Sequence, residues 1–189
     1  MNLPLADTFS LEEEQALISA CQQGDQAAFK RLYHNYAKRI FNLSYRLAGD
    51  QAEAEEITQE VFIQVWRTIS SYAGNSSFYT WLHAVASNIA ISYIRKRKRW
   101  WRQLVEKTSK QEDTDNEPEG VIEDTNYDTT LEKLIMKLPE QARIVFVLFA
   151  IEGFKHDEIA KQLKIAPGTS KAQYHRARKL LAEWLDNEA

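Results

Sequence analysis

Apolar residues recur every three or four positions along nearly the whole of this chain, a spacing that an α-helix gathers onto one face. The stretch "GDQAAFKRLYHNYAKRIFNLSYRLAG" carries Phe29, Leu32, Tyr36, Ile40, Leu43 and Leu47 in that rhythm, with Asp25 placed to cap its start and Gly49 its end. Before it, "LEEEQALISACQQ" puts Ala16, Leu17, Ala20 and Cys21 on one side. After it, "DQAEAEEITQEVFIQVWRTI" opens with Asp50 and Glu53 at capping-box spacing. Helix breakers are scarce, with 6 Gly and 4 Pro in 189 residues. The expected fold is all-α.

One segment breaks the pattern. "QEDTDNEPEGVIEDTNYD" is acidic, polar and interrupted by Pro118 and Gly120, and it holds too little apolar surface for a core. It predicts two helical units, residues 1–102 and 129–189, joined by a flexible acidic linker over 103–128. Fully extended, a tether of about 26 residues spans roughly 85 Å, more than two turns of DNA. The longest apolar run, Ile144 to Ile151, is far short of the roughly 20 residues a membrane span needs. The single cysteine, Cys21, allows no internal disulfide and reads as a small core residue. With no signal peptide in view, a reducing cytoplasm is expected.

The most specific signal is "HDEIAKQLKIAPGTSKAQYHRAR". Ile159, Ala160 and Leu163 give a short helix an apolar inner face, "KIAP" turns tightly, and Pro167 suits the first position of a second helix. The small Ala160 lets two helices cross closely, as in a helix-turn-helix. The second helix offers Lys171, Gln173, His175, Arg176, Arg178 and Lys179 outward, and Tyr174, Ala177 and Leu181 inward. Arg and Lys reach guanine edges or phosphates, and Gln pairs with adenine. This chain carries −3 net charge yet contains "RKRKRWW" (Arg95 to Trp101), so a polyanion is the expected partner there too.

The stretch "LPEQARIVFVLFAIEGFKHDEIAKQLKIAPGTSKAQYHRAR" resembles region 4 of bacterial RNA polymerase sigma factors, particularly the small extracytoplasmic-function (ECF) group. That resemblance implies −35 promoter contacts from Thr169, Lys171, Gln173, His175, Arg176 and Arg178. Some residues depart from the family's pattern. Lys155 and Ala166 stand where a Ser cap is common, each absent cap costing about 1 kcal/mol. Ser170 replaces a common Val, which predicts less apolar contact behind the recognition helix. Ala172 and Gln173 replace a frequent Ser-Arg pair, which predicts a different base preference.

The N-terminal unit is similar to region 2 of the same family. In "AEEITQEVFIQVWR", Ala54, Ile57, Val61 and Val65 form a core stripe, and Gln59, Phe62 and Trp66 fall about 100° around the helix beside Glu55 and Glu56. Aromatics rimmed by acids suit a protein-binding surface. Packing of Phe62 and Trp66 under a neighbouring helix is the competing reading. The resemblance assigns Glu56, Gln59, Glu60, Phe62 and Trp66 to core polymerase, at its β′ clamp coiled coil. Next, "SYAGNSSFYTWLHAVASNIAISYIRKRKR" sets a Gly/Ser/Asn loop before a helix whose second stripe is polar and aromatic. The resemblance makes Tyr72, Asn75, Ser76, Trp81, His83, Asn88, Arg95 and Lys96 the −10 recognition and opening set, with Trp81 equally readable as core.

Together the two resemblances imply a promoter-specificity subunit that binds core RNA polymerase (β′ clamp coiled coil and β flap) and promoter DNA. The resemblance also implies an anti-sigma factor, membrane-linked or soluble, that would control it. No small-molecule substrate, cofactor or metal is expected. A free-standing helix-turn-helix regulator would explain the C-terminal half alone. An enzyme fits least: there is no Walker motif and no paired metal-ligand spacing, and Glu55, Glu56 and Glu60 read as a solvated acidic face.

Overall fold

The structure, a computed structural model, describes residues 10–108 and 130–188. Its regular elements there are helical: α1 Leu11–Gln22, α2 Gln26–Ala48, α3 Gln51–Thr68, α4 Phe78–Thr108, α5 Thr130–Met136, α6 Glu140–Phe146, α7 His156–Leu163 and α8 Pro167–Glu188. A 3₁₀ turn, Ile69–Ser71, follows α3, and a π-turn, Val147–Ile151, extends α6.

The capping residues sit where local chemistry requires them. Ser10 and Glu13 exchange the two hydrogen bonds of a capping box before α1. Asp25 accepts from the amides of Ala27 and Ala28, and Asp50 from that of Glu53. Gly49 closes α2 in the left-handed conformation, φ 84°. Helices α1 to α4 bury Leu32, Ile40, Leu43, Leu47, Ile57, Val61, Val65, Phe78 and Leu82 between them. Burial and the nearby charge of Asp25 raise the pKa of the buried Cys21 thiol, which suits an inert core residue.

Helix α4 runs to Thr108, through residues 103–108 of the expected tether. No Gly or Pro occurs there, and the next breaker is Pro118. The remainder of that tether, and the packing of the Trp100 and Trp101 side chains expected to cap the domain, lie outside the described residues.

In the C-terminal half, α7 packs on α8, and Ile159 and Ala160 of the one and Ala177 and Leu181 of the other are buried. The missing Ser cap of α7 is partly compensated. The Lys155 amide donates to the Glu158 carboxylate (2.7 Å), which is half of a capping box. Ser170 is fully buried, and its hydroxyl hydrogen-bonds the His156 ring (2.9 Å), itself stacked on Phe149 at 4.1 Å. The apolar contact expected to be lost at Ser170 is thus replaced by a polar link between the two helices. The turn between them places Lys164 at φ 56°, ψ 46°, the one non-glycine residue with positive φ among those described. Lys164→Gly removes the Cβ strain of that conformation. It is expected to stabilise the protein by up to about 1 kcal/mol and to raise the unfolding midpoint by about 2–4 °C in calorimetry.

Candidate functional site

Three groups of side chains stand out. The first lies on α3, where Glu56, Gln59, Glu60, Ile63 and Trp66 follow one another at i, i+3 and i+4 and are all exposed. Phe62 does not join them. It is 4% exposed and packs edge-on against Tyr33 (4.7 Å) and Phe29 (6.4 Å) of α2. Trp66 also touches Phe29 (4.9 Å) but keeps 37% of its surface. The competing reading is thus correct for Phe62 and only half correct for Trp66. Ile63 and Tyr33, each more than a third exposed, belong to this surface and were missed. Ile63 falls in step with Gln59 and Trp66, and Tyr33 lies one turn beyond Phe29 on α2. Glu56 accepts a hydrogen bond from Tyr93 (2.6 Å), which, with burial, pushes the tyrosine pKa up to about 12.

The second group surrounds the loop before α4. Gly74, Asn75, Ser76 and Ser77 are exposed, and Ser77 caps α4 by accepting from the Thr80 amide (3.1 Å). The loop is held at its base: Gln22 donates to the carbonyls of Ile69 and Tyr72, and the Tyr72 hydroxyl donates to that of Ser76. Trp81 is half-buried against Phe78 and Tyr72, with ring centres 5.6 and 5.5 Å away. It therefore backs the loop and also belongs to the core. Tyr79, missed in the sequence, is 41% exposed, with the Arg39 guanidinium 5.7 Å from its ring and His83 at 4.0 Å.

Along α4 the expected DNA-facing residues meet the C-terminal half. His83 Nδ1 pairs with Glu152 (2.7 Å), Asn88 accepts from Gln162 (3.1 Å), and Arg95 reaches the Gln162 carbonyl (3.4 Å). Lys96 stays exposed. Within the basic run Arg97 turns inward to both Glu53 and Glu140. Burial opposes its charge, but the hydrogen bonds and charges of those two glutamates outweigh it and hold its pKa above the ordinary value. "RKRKR" is thus split: Arg97 is half-buried between the two halves, Arg95 reaches across to α7 from an exposed position, and Lys96 faces outward.

The third group is the outer face of α8. Thr169, Lys171, Ala172, His175, Arg176, Arg178 and Lys179 are exposed. Gln173 is not among them: it is half-buried and donates to Gln141 (3.4 Å), so its amide is turned away from that face. Helical spacing places it about 100° from Ala172, at the edge of the packed side.

Comparison with known proteins places these groups. Sigma-70 region 2 matches residues 32–100 and Sigma-70 region 4 matches residues 129–181. The chain is 34% identical over 176 residues to the ECF RNA polymerase sigma factor SigW of Bacillus subtilis, covering 89% of this chain and 94% of that protein. The chain belongs to the ECF RNA polymerase sigma factors. SigE of Mycolicibacterium smegmatis is likewise 34% identical, over 166 residues, and the match spans 86% of this sigma factor and 64% of SigE. In fold, it resembles the sigma factor RpoE of Bartonella quintana, solved in complex with the anti-sigma factor NepR (TM-score 0.55, 23% identity, 84% of this chain and 96% of that one). A second likeness is to CnrH, solved with the cytosolic domain of CnrY (TM-score 0.51, 19% identity, 94% and 99%). Region 2 thus carries the α3 surface and the loop before α4, and region 4 carries the helix-turn-helix. Among the described residues no helix is long and apolar enough to cross a membrane.

Proposed function

We propose that this sigma factor recruits core RNA polymerase through the α3 surface and directs it to promoters whose −10 element is held by region 2 and whose −35 element is read by region 4. The observation that carries this reading is the exposed basic face of α8, set on a helix-turn-helix whose inner side is Ile159, Ala160, Ser170, Ala177 and Leu181. The N-terminal residues of such a helix meet base edges in the major groove while flanking cations hold phosphates. The boundaries that go with it are residues 1–102, 103–128 and 129–189.

At region 2 the contacts are Glu56, Gln59, Glu60 and Trp66 to the β′ clamp coiled coil, joined by Ile63 and Tyr33, with Phe62 supporting them from beneath. The −10 set is Tyr72, Asn75, Ser76, His83, Asn88, Arg95 and Lys96, with Trp81 backing the loop. Exposed loop groups can take an unstacked base while Arg95 and Lys96 hold phosphates. DNA binding there requires Glu152 and Gln162 to leave His83, Asn88 and Arg95, so the two regions part as the promoter is engaged. Strand opening draws on binding energy, and the protein is not an enzyme. Region 4 also docks on the β flap. The factor acts in the cytoplasm, under an anti-sigma factor that covers its polymerase-binding faces. The complex of RpoE with NepR supports that last point by likeness.

Arg176→Ala tests the reading. Loss of one guanidinium contact to a base edge is expected to lower initiation by reconstituted holoenzyme about tenfold on a cognate promoter, since such a contact is worth roughly 1–3 kcal/mol. On a template with a scrambled −35 element the variant and the parent should initiate equally. An equal loss on both templates would remove Arg176 from −35 recognition.

A further inference from the structure

The outer face of α8 is centred on a residue with no hydrogen-bonding side chain. At about 100° per residue, Ser170, Tyr174, Ala177 and Leu181 fall roughly 140–180° around the helix from Ala172. Three of these, Ser170, Ala177 and Leu181, are buried and the fourth is half-buried. Gly168, Thr169, His175 and Arg176 lie within about 60° of Ala172, and all four are exposed, as is Ala172 itself; Lys179 shares the direction of Ala172 two turns farther along the helix. Lys171 and Arg178 sit farther round, about 100–120° away, where they suit the phosphates flanking a groove. The neighbouring amide that could have read a base, Gln173, is bonded to Gln141. The middle of the face is therefore a methyl group, ringed by a hydroxyl, an imidazole and a guanidinium.

We infer that Ala172 selects a thymine in the −35 element by contact between its side-chain methyl and the thymine 5-methyl group. Of the four base pairs only A·T and T·A present a methyl in the major groove, and a small apolar side chain is the group that fits against it. The short side chain also lets the backbone of α8 approach the bases, which brings Arg176 and His175 within reach of the neighbouring pairs. This inference rests on the reading of region 4 as the −35 reader.

The test uses holoenzyme reconstituted from the full chain and core polymerase. Binding is first selected from promoters randomised around the −35 position, and each enriched dT, on either strand, is then replaced singly by dU. One replacement is expected to weaken binding about fourfold, the equivalent of roughly 0.8 kcal/mol for one buried methyl group. In Ala172→Gly the same replacement should change binding less than twofold, whereas Arg176→Ala should leave the dU penalty intact. Glycine weakens the helix on every template, so the dT/dU ratio within each variant is the readout. A penalty at no position, or one that persists in Ala172→Gly, overturns the thymine contact while leaving −35 reading in place. If selection enriches no sequence around −35, the reading of region 4 falls, and the contact with it.

Discussion

Arg143→Ala is expected to loosen the packing of region 4 on region 2 while leaving the helices of both intact. Arg143 rises from α6 and is 8% exposed. Its guanidinium donates to the carbonyls of Arg46 (3.0 Å) and Ala48 (3.2 Å) at the end of α2, and more weakly to those of Leu138 and Met136. The last carbonyls of a helix have no partner within it, and a cation there also meets the negative end of the helix dipole. Hydrogen bonds from a charged donor are worth about 1.5–3 kcal/mol each, and truncation leaves buried acceptors unmet, so a loss of about 3–4 kcal/mol is expected. The cost falls on the contact between the halves, because the acceptors in α2 belong to one and the donor to the other. Small-angle scattering should show a larger radius of gyration, with helix content by circular dichroism unchanged. An unaltered radius would show that Arg143 does not hold the halves together.

Gly49 makes the same case from the other side. A Cβ there would lie 2.2 Å from Arg143 Nη2, and φ is 84°. Gly24 has nearly the same φ, 87°, and no atom within 4 Å of its missing Cβ. Gly49→Ala should therefore reproduce the Arg143→Ala expansion, whereas Gly24→Ala should add only backbone strain, about 1 kcal/mol, and no expansion. Arg46 with Glu132, and Arg97 with Glu140, lie across the same junction, and Glu53 holds Arg97 from its own side. Being partly exposed, those pairs contribute less than the buried Arg143.

None of this junction was legible in the sequence, for a physical reason. Periodicity reports which face of a helix is apolar, and it placed Ile40, Ile57, Val61, Ile159 and Leu181 in cores, where they are. It says nothing of which polar residue bonds another far along the chain, and Arg143 sits in an ordinary helical pattern as one more solvated cation. The basic run shows the same limit. Five like charges in sequence read as one patch, yet five residues of helix cover more than a full turn, so Arg97 points away from Arg95 and Lys96. The helix-turn-helix was legible because its signal is local: Ala160, Pro167 and the apolar residues around them are fixed by spacing alone. Phe62 and Gln173 were misjudged because both lie about 100° from a stripe centre, where small differences in packing decide between surface and core.

Trp66→Ala is expected to lower affinity for core polymerase by about 30-fold or more with little change in the unfolding midpoint. The exposed part of Trp66 continues the line of Gln59, Glu60 and Ile63, with Tyr33 beside it on α2. A large aromatic at the centre of an interface, ringed by polar groups, commonly costs about 2–4 kcal/mol on truncation. The fold loses little, because the buried core stripe of α3, Ile57, Val61 and Val65, lies about 100–180° around the helix from Trp66. Phe62 provides the contrast. It is almost fully buried, so Phe62→Ala should cost about 3–5 kcal/mol of stability and lower the unfolding midpoint by several degrees. Any loss of polymerase binding in that variant would follow from the loss of fold. Ile63→Ala, at an exposed position between the two, should behave like a weaker Trp66→Ala, lowering affinity severalfold without moving the midpoint. Titration of each variant against core enzyme, with calorimetry of the same preparations, separates the two classes. If Trp66→Ala shifts the midpoint and leaves affinity alone, Trp66 is a core residue with an exposed edge, and the polymerase-binding surface must be sought elsewhere on region 2.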